Sequence, residues 1–587
     1  MPSSRDRDPV LALVNQGWHS LQLQQPLAAR AAWHRALRLA PDHEAAVQAL
    51  ATLESAADLP AVARTVARFQ APDGPEQRDR WDRRFQGRNL EDLADAAEVF
   101  AELAAEGPGD ASARFNLALC LAWQGRNSEA IAGLEQVVGL LANDSAERAI
   151  HAGTLAEVLR LGAGAEALAD DRRFAWVLEW PEGDAPELPD DRPWLVPVPA
   201  PLDPVSGQPQ IAGARVFEWL DRPIPATGAM LTSGTDLPRL LATVVATSRA
   251  IRISSPDPRT LDDVHDPLIA LIGGLPPTLR RESIPLPLTL ADAAVWTFRL
   301  PGGLDPEARQ ALTRLGVEHY YEDLWIHQPR HALGGRSPLE ASRLAAEGDR
   351  EAWAKLGAVV RFREQLGARP RTARLYQGYP FDRLRRRLGL GPDDPNAIDL
   401  QDLSCASLFE LKSLDAGTLV PPRLNDAITS ALGLRDDPLI ASMGAELFRR
   451  PASAIEVPLV PLMAALARES ARLDRPEEAL DWLEVARKRA DSGGRRTFAV
   501  WTAEIQARTG RADDAARTYE TLLGERPDAP LALDAAETFL DLGHPARALS
   551  FLQLALEEAR RSGDGAVEGK ANALMEQVNR DIEDQAP

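Results

Sequence analysis

Three histidines and two acids cluster in one short string: His319, Glu322, Asp323, His327 and His331. His327 and His331 are four residues apart, the spacing that lets two imidazoles on one face of a helix bind a zinc ion. Pro329 lies between them, and a proline interrupts the regular helix that such a pair needs. The pattern therefore indicates a polar surface, and we predict no metal site here.

No catalytic site can be assembled from neighbouring positions elsewhere. Cys120 and Cys405 are the only cysteines, too few for a disulfide framework or a cysteine-rich zinc site. The glycine-rich strings at 162–168 and 389–394 lack the spacing of a phosphate-binding loop. We predict no catalytic residues and no cofactor, and an enzyme site built from distant residues stays open as an alternative.

A cationic stretch runs from residue 361 to 387, with nine arginines and only Glu364 and Asp382 as acids. Tyrosine and phenylalanine are interleaved with the arginines, a combination that can hold single-stranded nucleic acid through phosphate contacts and stacking. The alternatives are docking onto the acidic arrays of the same chain, a solvated helix face, and binding of an acidic protein. The arginines that we name as candidate partner contacts are Arg371, Arg374, Arg383, Arg385, Arg386 and Arg387.

The elements around these residues follow a spaced pattern: an alanine, a bulky residue four positions later and a small or aliphatic residue seven positions later. The pattern begins at Ala29, Ala96, Ala130, Ala479, Ala515 and Ala548. It places three side chains on one face of a helix, and the small alanine lets another helix approach closely. Ala96 and Ala130 are 34 residues apart, and the C-terminal copies are separated by 36 and 33. Each unit is predicted to be a helix, a turn and a second helix.

Over residues 10–168 and 458–582 the chain resembles a tetratricopeptide repeat (TPR) protein, whose repeat carries these small and bulky positions. The resemblance implies arrays whose concave inner helices bind a peptide or helix of a partner. Some members clamp a C-terminal carboxylate with lysine and asparagine, which makes Asn15 and Asn116 candidates, although no lysine precedes Lys355. Residues 91–150 carry eleven acids and three arginines, which favours a basic or neutral partner for this array.

The central region has a different pattern. Nine prolines between 181 and 209 predict an extended linker. Runs of β-branched and aromatic residues at 214–220, 250–254 and 294–300 alternate with stretches predicted as helices from Asp236, Asp257 and Asp305. The predicted fold is mainly α, with two TPR-like arrays flanking a small α/β or α+β module. The predicted boundaries are an N-terminal array at 1–175, the linker at 176–213, the central module at 214–325, an Arg-rich helical connection at 326–457 and a C-terminal array at 458–587.

Residues 325–342 contain a turn at Gly334-Gly335 and a capping box from Ser337 to Glu340. The string is similar to the toxin-binding motif of Xre/MbcA/ParS antitoxins and to the tail after the catalytic core of some transposase integrases. The first resemblance implies a toxin-like partner for residues 325–387. A shared turn and cap is the structural alternative.

The net charge of -21 argues against nucleic acid or an anionic membrane as a general partner. Signal-peptide and membrane-spanning patterns are absent from the sequence, so we expect a cytoplasmic protein, and the excess of arginine over lysine indicates a GC-rich bacterial genome. We predict a non-catalytic scaffold or adaptor for protein partners. The alternatives are a regulatory protein that binds nucleic acid or a toxin-like partner through residues 325–387, and an enzyme with a site in the central module.

Overall fold

The computed structural model describes residues 8–89, 92–189, 191–200, 213–226, 231, 234–273, 278–285, 294, 297–394, 398–451, 455–490, 492–562 and 565–585. The chain divides into two compact units, Met1–Ile398 and Asp399–Pro587. Among the described residues, no helix combines the length and apolarity needed to cross a membrane.

The first unit begins with helices that pack as successive hairpins. They are α1 (Pro9–Gln22), α2 (Pro26–Leu39), α3 (Glu44–Ser55), α4 (Ala61–Arg64), α5 (Pro75–Phe85), α6 (Leu93–Glu106), α7 (Ala111–Trp123), α8 (Asn127–Leu141) and α9 (Ala146–Arg160). Aspartate caps start several of them; Asp92, for example, accepts hydrogen bonds from the first-turn amides of Ala94 and Asp95.

The repeat pattern marks the contacts between paired helices. Ala29, Trp33 and Ala36 on α2 are all 0% exposed. The Trp33 indole donates a hydrogen bond to the Val14 carbonyl at 3.1 Å. Gly17 lies under this indole, and a Cβ at position 17 would come within 2.1 Å of the ring. The small residue in the first helix is therefore required by the bulky residue in the second.

A six-stranded antiparallel sheet follows, in the spatial order β2-β3-β4-β5-β1-β6. Its strands are β1 (Arg172–Glu179), β2 (Leu195–Val198), β3 (Arg215–Leu220), β4 (Leu240–Ala246), β5 (Ala250–Ser255) and β6 (Thr278–Pro285). Helix α10 (Pro258–Leu271) packs on it, and Phe217, Val244 and Ile253 form part of the shared core. The module is thus of the antiparallel, α+β kind.

Several sequence-based expectations differ from this sheet. The stretch from Asp236 was predicted as a helix. A short 3-10 turn instead ends at Asp236 and leads into β4, whose β-branched Thr243, Val244 and Val245 favour a strand. Strand β2 lies within the predicted linker, and Pro197 is compatible with it because β2 is an edge strand that pairs on one side. At 294–300 the described residues form an isolated bridge between Phe298 and Arg239, while 295–296 lie outside the described residues.

The rest of the first unit is helical. It comprises α11 (Pro306–His319), α12 (Pro338–Ala346), α13 (Arg350–Gly367), α14 (Pro370–Leu375) and α15 (Phe381–Arg387). The predicted caps are present: Asp257 and Asp305 accept from first-turn amides, and Ser337 and Glu340 form the capping box of α12. A π-helical turn at Tyr320–Leu324 continues α11.

The second unit contains the C-terminal array. Its helices are α16 (Leu408–Lys412), α17 (Pro421–Leu434), α18 (Asp437–Phe448), α19 (Leu459–Arg472), α20 (Pro476–Arg489), α21 (Ser492–Arg508), α22 (Ala512–Glu525), α23 (Ala529–Asp541), α24 (Pro545–Ser562) and α25 (Gly565–Gln585). The first helices of successive hairpins, α19, α21 and α23, pack against one another. Ala515 and Tyr519, two residues of the repeat pattern, are buried in the core of this array. The predicted architecture of two TPR-like arrays around a small module with a β-sheet is confirmed.

Candidate partner-binding surfaces

An extended segment of the chain, residues 65–73, lies along α7 in the N-terminal array. Asn116 on α7 is 0% exposed, and both the oxygen and the nitrogen of its side-chain amide bind the backbone of Gln70. The Gln70 N–H donates to Oδ1 of Asn116 at 2.8 Å, and Nδ2 of Asn116 donates to the Gln70 carbonyl at 2.9 Å. Asn116 therefore holds an extended peptide, and this peptide belongs to the same chain.

Further contacts fix the segment at each end. Arg148 on α9 donates to the carboxylate of Asp73 at 2.7 Å and to the side-chain oxygen of Gln70 at 2.6 Å. The ring of Phe69 packs against Phe100 and Trp123, with centroid distances of 4.9 and 5.1 Å. The segment thus runs from the C-terminal end of α7 towards its N-terminal end. Phe69, Gln70 and Asp73 of the segment are all bound by residues of the array.

Helix α13 covers α9 in a similar way. Two glycines make this approach possible: a Cβ at Gly153 would lie 2.6 Å from the Ala358 Cβ, and one at Gly357 would lie 3.0 Å from Ile150. In the part of the chain that the structure describes, the face formed by α7 and α9 is therefore covered by the chain itself. Asn15, which precedes Ala29 by 14 residues as Asn116 precedes Ala130, lies on α1 and is exposed.

The Arg-rich stretch docks onto acids of its own unit. Arg363 and Arg330 both bind Asp171, Arg330 at 3.0 Å, and both guanidiniums lie over the Trp325 ring at 5.7 and 5.2 Å. The two arginines are 3% and 1% exposed. Burial alone would raise the pKa of Asp171, but the charges of Arg363 and Arg330 outweigh it and lower this pKa to about 2. The predicted motif at 325–342 thus contributes to a buried ionic cluster.

The other candidate arginines are divided between buried and exposed positions. Arg383 binds Glu322 at 2.8 Å, Arg385 binds Glu364 at 3.2 Å and Arg387 binds Asp323 at 3.0 Å. Arg385, Arg386 and Arg387 are 9%, 5% and 1% exposed, whereas Arg371 and Arg374 on α14 are exposed. These contacts are with acids of the same unit, although Glu322, Asp323 and Glu364 lie outside the two arrays onto which docking had been predicted.

The aromatic residues of the stretch belong to the same core. The Tyr379 ring stacks on Tyr321 at 5.5 Å, and Phe381 packs against both. Tyr376 and Tyr379 are 2% and 6% exposed, so neither ring presents a face for stacking with a base. The prediction of nucleic-acid binding depended on arginines interleaved with aromatic residues. In the structure these aromatic residues pack against one another in the core.

The histidine cluster is also tied to nearby acids. His319 Nδ1 lies 2.9 Å from the Asp323 carboxylate, and His331 Nδ1 lies 2.5 Å from that of Asp170. These two histidines thus bind different carboxylates. Among the described residues, no group of three or more His, Cys, Asp or Glu side chains is arranged to hold a metal ion.

The second unit has an open groove of about 1130 Å³ between α20 and α22, with α21 beneath it. We call it the C-terminal groove. Its cationic lining residues are Arg487, Lys488, Arg495, Arg496, Arg511, Arg517 and Arg526. Asp514 and Glu525 are the acids among the residues that line it. The groove lies on the side of the second helices of the hairpins, whereas the resemblance to TPR proteins had pointed to the first helices.

Hydrogen bonds at the base of the groove hold its helices together. Arg496 on α21 donates to the Leu522 carbonyl at 3.0 Å and to the Arg526 carbonyl at 3.2 Å, and so covers the C-terminal end of α22. Thr518 donates to the Gln506 side chain at 3.1 Å, which joins α22 to α21 halfway along. These bonds join α21, at the base of the groove, to α22, which lines one side of it.

Sequence reasoning missed this groove. Its cations come from three helices, and along the sequence they alternate with acids such as Glu484, Asp513 and Asp514. The local excess of charge was clearest at 361–387, where five of the nine arginines turn out to be buried: Arg363, Arg369, Arg385, Arg386 and Arg387. The short run Arg487, Lys488, Arg489 at the end of α20 is the one local signal that could have indicated it.

Residues 90–152, which span α6 to the first half of α9, match the family model described as tetratricopeptide repeat. This match, together with the helical hairpins, supports a TPR-containing protein. No curated protein shows a significant match to the chain.

Proposed function

We propose that this protein is a non-catalytic interaction scaffold that holds a segment of a partner protein in its C-terminal groove. A TPR segment implies protein partners. The observation that carries the proposal is the open C-terminal groove on the second-helix side of its array; the first-helix face of the N-terminal array, formed by α7 and α9, is covered by residues 65–73 and α13.

The size and lining of the groove favour a macromolecular ligand. Its volume of about 1130 Å³ exceeds the roughly 300–1,000 Å³ typical of small-molecule pockets. Most of its lining residues carry charged or hydroxyl side chains, and Ala499 and Leu522 are the aliphatic ones among them. Such a surface suits an extended polar segment that makes many contacts better than a compact apolar molecule.

The remaining candidate residues fit a second, separate contact. Asn15 on α1 and Arg371 and Arg374 on α14 are exposed, and we retain them as candidate contacts for a further partner of the first unit. We also retain the expectation of a bacterial, cytoplasmic protein.

The proposal is tested by blocking the groove in the full-length chain. Thr521 lines the groove and is exposed, so Thr521→Trp obstructs part of it without changing charge. Gln553→Trp, on the exposed surface of α24, is the matched control. We expect quantitative affinity capture to show that Thr521→Trp reduces recovery of specific partners at least about tenfold, while Gln553→Trp does not. Equal recovery with both variants would contradict the proposal.

A further inference from the structure

We propose that the C-terminal groove takes an acidic segment of its partner, a stretch of peptide rich in aspartate and glutamate. This inference rests on the proposed function and adds the chemistry of the ligand. It starts from a local reversal of charge: in a chain with a net charge of -21, seven cations and two acids line the groove. The walls of a cleft concentrate the electric field of such cations on a ligand that enters it.

The neighbouring acids compensate only part of this charge, because two of them are each shared by two cations. Glu484 binds Arg487 at 2.7 Å and Lys488 at 3.4 Å. Asp514 binds Arg511 at 2.9 Å and also Arg517. One carboxylate can neutralise one unit of charge, so the pair Arg487 and Lys488 retains a positive charge, whereas Arg511 has a second acid, Glu477, at 3.4 Å.

The two clusters belong to different helices that line the groove. Arg487 and Lys488 lie at the end of α20, whereas Arg511 is the N-cap residue of α22 and Arg517 lies in its second turn. At the far end, the Arg526 side chain is exposed and makes no ion pair with the residues that the structure describes. An extended segment lying along the groove therefore meets cationic groups of both helices, which suits successive carboxylates rather than a single one.

Other acids near the groove are already bound to specific arginines. Asp528 binds Arg496 at 3.4 Å, and Glu477 binds Arg511 at 3.4 Å. The side chains of Arg487, Arg511 and Arg517 are 51%, 40% and 74% exposed, so they can turn from these acids to an incoming carboxylate. Arginine presents a planar pair of donors that fits a carboxylate with two parallel hydrogen bonds.

The groove favours a peptide over a nucleic acid because its lining, among the described residues, has no aromatic side chains on which bases could stack. The described residues that line the groove include no Phe, Tyr or Trp. Proteins that bind single strands combine phosphate contacts with aromatic side chains on which the bases stack. A carboxylate-bearing peptide needs no such stacking, and Thr518 and Thr521 add hydroxyl groups that can bind its backbone.

The test is fluorescence anisotropy on the full-length chain with a labelled peptide rich in Glu and Asp. The comparison ligands are the same peptide with Gln and Asn in place of the acids, and a single-stranded oligonucleotide of equal charge. Arg511→Glu with Arg517→Glu alters the groove, and Arg560→Glu with Arg561→Glu is the matched control, since those arginines are also exposed and ion-paired on α24. Circular dichroism checks folding, and Arg511→Gln with Arg517→Gln provides a milder pair.

We expect the acidic peptide to bind at low ionic strength, to weaken as salt is added, and to weaken at least about tenfold in the Arg511 and Arg517 variants but not in the controls. Binding that is unchanged by the groove variants, tighter binding of the oligonucleotide, or no binding of the acidic peptide would each overturn the inference. If the acidic peptide fails while Thr521→Trp still abolishes partner capture, the groove holds a partner segment of another chemistry. If Thr521→Trp has no effect on capture, the proposed function itself fails.

Discussion

The side-chain amide of Asn116 accepts a hydrogen bond from the Gln70 N–H at 2.8 Å and donates one to the Gln70 carbonyl at 2.9 Å. This is how an asparagine holds an extended strand, and here it makes the face of the N-terminal array part of the protein's own interior. The face formed by α7 and α9 is therefore covered by the same chain, whereas the C-terminal groove is open.

Replacement of Asn116 by alanine should loosen residues 65–73. The substitution leaves two Gln70 backbone groups without their partner, and each unsatisfied buried group costs about 1–3 kcal/mol. We expect a lower melting temperature of the first unit and faster hydrogen exchange at residues 66–73. Asn15→Ala, at the corresponding exposed position, should change stability by no more than about 0.5 kcal/mol. Unchanged exchange in Asn116→Ala would show that the segment is held by other contacts.

Gly17→Ala tests the close packing of the first hairpin. The added Cβ would lie 2.1 Å from the Trp33 ring, so the indole must move and its hydrogen bond to Val14 must lengthen. Overpacking of this kind costs about 1–3 kcal/mol in the free energy of unfolding.

The matched control is Gly524→Ala in α22, where nothing lies within 4 Å of the added Cβ. Alanine replaces a glycine in a helix there, so the free energy of unfolding should rise by up to about 1 kcal/mol. Thermal unfolding of the two variants should move in opposite directions. A shift of the same sign and size would contradict the packing account.

Acid should destabilise the first unit through Asp171. Its pKa is lowered to about 2 in the folded state, whereas the ordinary value is 3.8. A lowered folded-state pKa means that the carboxylate contributes its stability above the unfolded value and loses it as pH falls. A shift of this size corresponds to about 2 kcal/mol, lost between pH 4 and 2.

Asp171→Asn should flatten this part of the pH dependence and lower stability at neutral pH. Removing the charge leaves Arg330 and Arg363 buried without their counter-ion, which costs about 3–5 kcal/mol. Melting temperatures measured from pH 5 to pH 2 check both effects, with the exposed Asp541→Asn as the control. A parallel pH dependence in Asp171→Asn and the original protein would mean that other carboxyl groups cause the acid sensitivity.

The helical hairpins could be predicted from sequence because their signal is local. Ala29, Trp33 and Ala36 lie within two turns of one helix, and all three are buried as the spacing indicates. The edge strand β2 could not be predicted in the same way, since its prolines indicated a linker and its partner β3 is what makes it a strand.

The ionic contacts lay beyond sequence reasoning because their partners are distant. Arg363 is buried on account of Asp171, which is 192 residues away in the chain. A run of arginines has the same appearance in sequence whether its acids come from solvent-exposed loops or from the core. The C-terminal groove likewise depends on three helices that only the folded array brings together.

The most direct test of the account is site-specific photo-cross-linking from position 521 in cells, followed by mass spectrometry of the cross-linked peptides. The groove predicts a cross-link at Thr521 to a partner segment rich in Asp and Glu, and no such product from the same cross-linker at Gln553. Products that are the same from both positions, or a Thr521 product whose partner segment is neutral or basic, would contradict the claim that this groove binds an acidic segment.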